Sequence, residues 1–417
     1  MYRFRSLTTQ LVMFAVLVSS CTAREIQTQP AQPPDEYLSN ALDWIETHSV
    51  KARALDWASV RAQALALAPD PQTTAETYPA IVFVMEQLGD SATFFLTPDE
   101  RKDVNAYVGF AAFYPEAVIV GVDPDGPADR AGLQLGDIIV TINGASPKRW
   151  QGTRFLDLYD DRTVQLTVRR INEGEPISVT LEKTGTGPST LPNGRRLNID
   201  ESNIGYIELP TTGEDWEKYP TIAQQVIRAV DRVGTCGWII DVRRNSGGDI
   251  WSYIAAIGPI LGEGEVGGFR YLDDMHDSWK YKGGQVYWNE EVRAESYVEG
   301  MISKLKHSMP PVALLTSHAT MAAGELVVVA FQGRDHVRIF GEPSGGSPFL
   351  VLHTDLSDGA FIGVSGAFSM DRRGRTYDGS IRPDEVVPTE WNLFSTEQDP
   401  VILAANDWLQ TQPECAR

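Results

Sequence analysis

Residues 316 to 331, "TSHATMAAGELVVVAF", close an apolar strand and open an apolar helix. Strand-to-helix elbows of this kind are where hydrolases hold a nucleophile on a sharp turn. Here the turn reads Met321-Ala322-Ala323-Gly324-Glu325, and none of these side chains attacks a carbonyl well. A second loop after a buried strand, Asp241-Val242-Arg243-Arg244-Asn245-Ser246-Gly247-Gly248, is also built of small residues toward its end. Glycines in that position let backbone N–H groups face a ligand without a side chain in the way. Such donors stabilise an oxyanion. A Gly-Gly turn on its own is far more often only a turn.

The other groups with chemical potential are few. Ser317, His318 and Thr320 lie beside the elbow. Adjacency in sequence does not put a hydroxyl and an imidazole in hydrogen-bond geometry. His276, His307, His336 and His353 are read as surface or core residues rather than bases. Glu325 falls in the first helical turn, where its charge suits the helix dipole and its role is structural. No His, Cys, Asp or Glu spacing fits a metal, no paired carboxylates stand out as a glycosidase, and no cofactor is expected. The formal net charge is -20, which argues against wrapping phosphate backbones; no nucleic-acid partner is expected.

The 417 residues suffice for two or three domains that could position these loops. Residues 1–20 read as a signal peptide, with Arg3 and Arg5 before the apolar run Leu11 to Val18. Val18-Ser19-Ser20-Cys21 resembles a bacterial lipobox, which implies that Cys21 carries a lipid and tethers the protein in the cell envelope, on the periplasmic face and at the outer membrane. Residues 21–35, with Pro30, Pro33 and Pro34, form the tether. Cys236 and Cys415 remain; a disulfide between them is possible but not implied. Residues 36–103 are mostly helical by apolar spacing, with Gly89-Asp90 stopping the last helix.

Residues 104–185 alternate short β-rich runs with Gly, Pro and Asp turns. Gly126-Pro127-Ala128, Ala131-Gly132-Leu133, Gly136-Asp137-Ile138-Ile139 and Ile142-Asn143-Gly144 resemble a PDZ domain. That resemblance implies capture of peptide or protein C-termini by strand addition. Tyr107, Val108, Gly109 and Phe110 fall at the carboxylate-binding loop, although Tyr107 and Phe110 also suit plain core packing. Residues 198–395 alternate strands and helices, an α/β core, and 396–417 form a C-terminal helix and tail.

Taken together, Leu88-Gly89-Asp90, the inserted PDZ module, the 241–248 loop, Ala319 to Glu325, Gly341-Glu342-Pro343-Ser344-Gly345-Gly346 and Gly379 to Asp384 resemble the tail-specific, or C-terminal processing, serine proteases. The resemblance covers roughly residues 36 to 390 and implies a crotonase-like layered α/β protease core with an inserted β-rich PDZ domain and an N-terminal helical segment. In that family the nucleophilic serine stands three residues before the elbow glutamate, which here is Ala322. The branch that uses a lysine base would need it at Ser347, and the Ser/His branch would need its histidine at Ala92. Nucleophile and base positions are therefore both alanine, while the backbone N–H groups of Gly247 and Ala323 occupy the oxyanion positions. A methyl group neither deprotonates nor attacks, so the chain as written lacks normal covalent catalysis. Alanine at both dyad positions and at no other motif position is the pattern of deliberate inactivation of a cell-envelope serine endopeptidase. The alternative is a natural pseudoprotease that keeps its cleft for binding peptides.

Overall fold

The computed structural model describes residues 32–416, apart from 104–107, 114–116, 124, 145–162, 171–174, 183, 185–189, 198, 200–202, 213–214 and 296–303. Cys21 and Tyr107 lie outside the described residues.

A six-stranded sheet forms the centre, in the order Glu385–Val386, Val337–Gly341, Val312–Thr316, Gly237–Asp241, Ile204–Glu208, Asn193–Arg196. All neighbours are parallel except the last pair. Strands Gly237–Asp241 and Val312–Thr316 are buried along their whole length, which explains their unbroken apolar runs. Helices Tyr219–Val230, Ile250–Leu261 and Ala323–Phe331 cover one face through Ile227, Ile254 and Val327. Helix Pro400–Gln410 covers the other through Val401, Ile402 and Leu409. The C-terminal helix is thus part of the core, and a Cys236–Cys415 disulfide joins its far end to the sheet. Strand Asn193–Arg196 likewise joins the core sheet ahead of residue 198.

An eight-stranded antiparallel sheet, which the sequence reading left undescribed, packs on the helical layer through Val266, Phe269 and Trp279. Its long strand Phe361–Asp371 receives the N-terminal helices Pro34–His48 and Tyr78–Leu88 on Ile362 and Val364. The first helix begins at Pro34, inside the expected tether, because proline at the first helical position has no N–H to leave unpaired. Gly89 ends helix Tyr78–Leu88 at φ 67°, as expected of a left-handed cap. The β-rich module is a five-stranded antiparallel sheet in which strand Phe110–Phe113 is an edge.

Candidate active site

The two loops singled out above leave the carboxyl ends of adjacent parallel strands, where open α/β sheets bind ligands. Their frame is a buried ion cluster. Arg243 is fully buried between Asp241 and Asp399, with Nη2 2.6 Å and 2.7 Å from the two carboxylates. Burial disfavours its charge, but the two carboxylates outweigh that and hold its pKa above the ordinary arginine value. Asp399 also caps the C-terminal helix by accepting from the Val401 N–H. The loop backbone is therefore anchored to both faces of the sheet.

The elbow is laced to this loop. The Ser317 hydroxyl donates to the Arg243 carbonyl at 2.7 Å, and the Thr320 hydroxyl to that of Val242 at 2.9 Å. The Met321 N–H donates to the Asn245 carbonyl at 2.9 Å. Gly324 is required here, since a Cβ on it would stand 2.4 Å from the Asn245 carbonyl oxygen. The Gly324 N–H closes the turn onto the Met321 carbonyl, with Ala322 at φ 46° and ψ −117°. That is the first central position of a type II′ turn, ordinarily a glycine's place. A side chain held there costs on the order of 1–3 kcal/mol. Such strain persists only where the surroundings dictate it, and the lacing just described does so.

Ala322 faces Gly247: a Cβ on that glycine would lie 3.7 Å from the Ala322 methyl. The Ala323 N–H, at the positive end of the elbow helix, meets no acceptor among the described residues. The Gly247 N–H is turned to Asn245 Oδ1 at 3.2 Å, long for such a bond. Ala323 is thus a preformed donor, whereas the Gly247 N–H is held by the Asn245 side chain.

Ala92 is brought to the same region by a short network. Asp90 accepts from the N–H groups of Ala92 and Thr93 at 2.9 Å and 2.8 Å and from the Ser365 hydroxyl at 2.9 Å. Ser91 donates to the Gly346 carbonyl at 3.1 Å and pairs with the Ser347 hydroxyl. The N–H groups of Gly346 and Ser347 donate to Glu325 at 2.8 Å and 2.7 Å. Glu325 also accepts from the Ala322 N–H at 3.0 Å and from the Ser344 hydroxyl. One buried carboxylate therefore joins the elbow to the Gly-rich turn that holds the Ala92 loop. Burial pushes its pKa up to about 7 against these four donors. Its structural role was legible; its place as the link between the two alanine positions was not, because the turn lies about twenty residues downstream.

Residues 203–387 match peptidase family S41, and residues 118–170 match a PDZ domain. Residues 203–387 thus belong to the S41 peptidases, and the chain as a whole is similar to C-terminal processing proteases. It is 25% identical over 321 residues to the carboxyl-terminal-processing peptidase 2 of Arabidopsis thaliana, covering 72% of this chain and 58% of that protein. The fold is similar to that of a photosystem II D1 C-terminal processing protease, with a TM-score of 0.58 and 21% identity over 86% of this chain and 94% of that one. It is also similar to an S41 protease structure from Bacteroides fragilis, with a TM-score of 0.55 and 17% identity over 92% and 99%.

Within this tail-specific protease fold, the other candidates near the elbow do not form a dyad. The hydroxyls of Ser317 and Thr320 are fully buried and already engaged by backbone carbonyls. The half-exposed His318 lies 4.0 Å from Glu342, not beside a serine. His353 is held below its ordinary pKa by burial. In the PDZ module, Val108 and Phe110 are buried in its core, so their side chains pack. Gly109 stands at φ 78°, where an added Cβ would lie 2.8 Å from Pro127 Cδ. Only a bare backbone fits there.

Proposed function

We propose that this chain binds peptides in the cleft and PDZ groove of a tail-specific protease fold without hydrolysing them. The observation that carries this is the elbow: a strained turn and the Ala323 donor are kept, while the reacting side chain is a methyl. A peptide carbonyl can be held at Ala323 and Gly247, but no group is present to attack it. The underlying chemistry of the scaffold is that of a serine endopeptidase of the Ser/His branch, with Ala322 in place of the nucleophile and Ala92 in place of the base.

Two histories lead to this state. One is an active endopeptidase with both residues replaced by alanine; the other is a natural pseudoprotease. The packing of Ala92 supports the second. Ala92 is 8% exposed and sits in an apolar cluster with Val50 and Phe349, where a polar ring would have to displace neighbours.

The PDZ module captures peptides that end in a free carboxylate. Gly109 and the edge strand Phe110–Phe113 support that reading, since an edge offers unpaired backbone groups to an added strand. The protein is lipid-anchored through Cys21 in the cell envelope. The Cys236–Cys415 disulfide supports export to an oxidising compartment. Calorimetric titration tests the binding claim: a peptide acid should bind, its C-terminal amide should bind more weakly, and mass spectrometry should find both intact. Cleavage by the chain as written, or equal binding of acid and amide, would count against it. Labelling by a fatty-acid probe tests Cys21, and an unlabelled soluble product would remove the anchor.

A further inference from the structure

One cation is only loosely paired among the described residues. Arg293 lies on the strand Glu291–Glu295, an edge of the eight-stranded sheet. The pairing of that strand slips between Val292 and Ala294, so Arg293 is the extra residue of a β-bulge. Bulges at sheet edges turn one side chain out of the regular alternation. Here the guanidinium lies 5.3 Å from the Trp288 ring and 5.8 Å from that of Trp251, and the two indoles stack 5.4 Å apart. Trp251 is in the first turn of helix Ile250–Leu261, four residues after Gly247. Arg293 therefore packs on the helix that follows the Gly247-Gly248 loop.

Its charge is poorly answered. Its ion-pair partner among the described residues, Glu291, is 3.9 Å away and 81% exposed, and Arg293 itself is only 18% exposed. Asp249 is near, and its Oδ2 caps the helix by accepting from the Ser252 N–H and hydroxyl. Burial pushes the Asp249 carboxyl up, and Arg293 is among the groups that oppose this, so the two charges sense each other. A guanidinium packed against two indoles is restricted in motion, so little freedom is lost when it binds.

We propose that Arg293 is a specificity residue that receives a carboxylate of the peptide lying in the cleft beside Gly247. The carboxylate is either the peptide's C-terminus or an acidic side chain; both present the same two oxygens to the guanidinium fork. This rests on the reading of the cleft as a peptide site.

The test uses the full chain and one neutral peptide sequence in three forms: free acid, C-terminal amide, and amide with one internal Asp. Each carries a photoreactive group, and binding is followed by tryptophan emission, because two indoles touch the guanidinium. Carboxylate-bearing forms should shift the emission and cross-link near Trp251 and Trp288. Arg293→Gln should weaken those forms by about tenfold and leave the neutral amide unchanged, while Arg293→Lys should recover part of the loss. Sensitivity of the free acid alone assigns the C-terminus; sensitivity of the Asp form alone assigns a side chain. If peptides cross-link in the cleft but acid and neutral forms respond equally to Arg293→Gln, the inference is overturned and the cleft reading stands. If every cross-link falls in the PDZ module, or no form binds, the cleft reading fails and the inference falls with it.

Discussion

The two alanine positions of this chain are held in opposite ways. Ala322 stands in a strained backbone, at φ 46°, with its methyl facing the cleft near Gly247. Ala92 has no positive φ, its N–H is satisfied by Asp90, and its methyl is buried among apolar side chains. On the reading proposed above, the nucleophile position is a backbone geometry from which the reacting atom is missing. The base position, on the same reading, is a packed apolar site. Oxyanion-type binding is built from main chain and survives loss of a side chain; a proton relay is built from side chains and does not.

The sharpest way to break this contrast is to refill both positions. Ala322→Ser with Ala92→His should create peptidase activity and fluorophosphonate labelling, because nucleophile and base act as a unit worth on the order of a millionfold in turnover. Ala322→Ser alone should label weakly at most. The histidine must also displace the Val50 and Phe349 contacts, an overpacking cost of about 1–3 kcal/mol that should appear as a lower melting temperature. A doubly restored chain that folds, binds peptide and still neither labels nor cleaves would show that the elbow too has lost its function.

A second effect tests what holds the elbow. Asp399→Ala leaves Arg243 buried with one carboxylate fewer. Breaking a buried ion cluster in this way costs about 3–5 kcal/mol. Chemical denaturation should show that loss, and the half-exposed pair Arg61–Asp43, broken by Asp43→Ala, should cost about 1 kcal/mol or less. Similar losses for the two would mean that the cluster does not frame the loop.

How much of this was legible in the sequence follows from what each feature depends on. Strands Gly237–Asp241 and Val312–Thr316 were readable because complete burial leaves an unbroken apolar run. The helix stop at Gly89 was readable because a left-handed cap favours one residue type. The second sheet was not read: its long strand Phe361–Asp371 mixes Gly and Ser into the run, since close neighbours such as Phe94 against Gly363 demand small residues. The alanine pair was found only because the surrounding motifs fixed where to count. The Glu325 link, the Cys236–Cys415 bond and the Arg293 bulge depend on contacts between distant segments, which local patterns do not encode.

The link between the two positions predicts a pH effect. Glu325 has its pKa raised by burial to about 7 in the folded chain, against an ordinary value of 4.5. Between those values the folded state binds more protons than the unfolded one, so stability falls as pH rises through this window. The loss amounts to at most about 3 kcal/mol. Glu325→Gln should remove that slope, although the amide also turns a donor toward the N–H groups of Gly346, Ser347 and Ala322 and lowers stability at every pH. Denaturant midpoints at several pH values decide it: an unchanged slope in Glu325→Gln would place the titration elsewhere.

The smallest effect is the most direct measure of the contrast, because the same substitution should change sign between the two positions. Ala322→Gly removes a Cβ from a φ of 46°, a conformation that glycine adopts without steric cost. The relieved strain exceeds the extra freedom glycine gives the unfolded chain, and the net stabilisation should be about 1 kcal/mol. Ala92→Gly has no strain to relieve. It removes a methyl buried beside Val50 and Phe349 and adds unfolded-state freedom, so both terms destabilise, by about 1–2 kcal/mol together. Thermal melts of the two single variants and of the double variant make the comparison, and the sites should add within about 0.5 kcal/mol if the Glu325 network does not couple them. Destabilisation by Ala322→Gly would mean that the elbow is not strained, and the case for a preserved nucleophile turn would lose its main physical support.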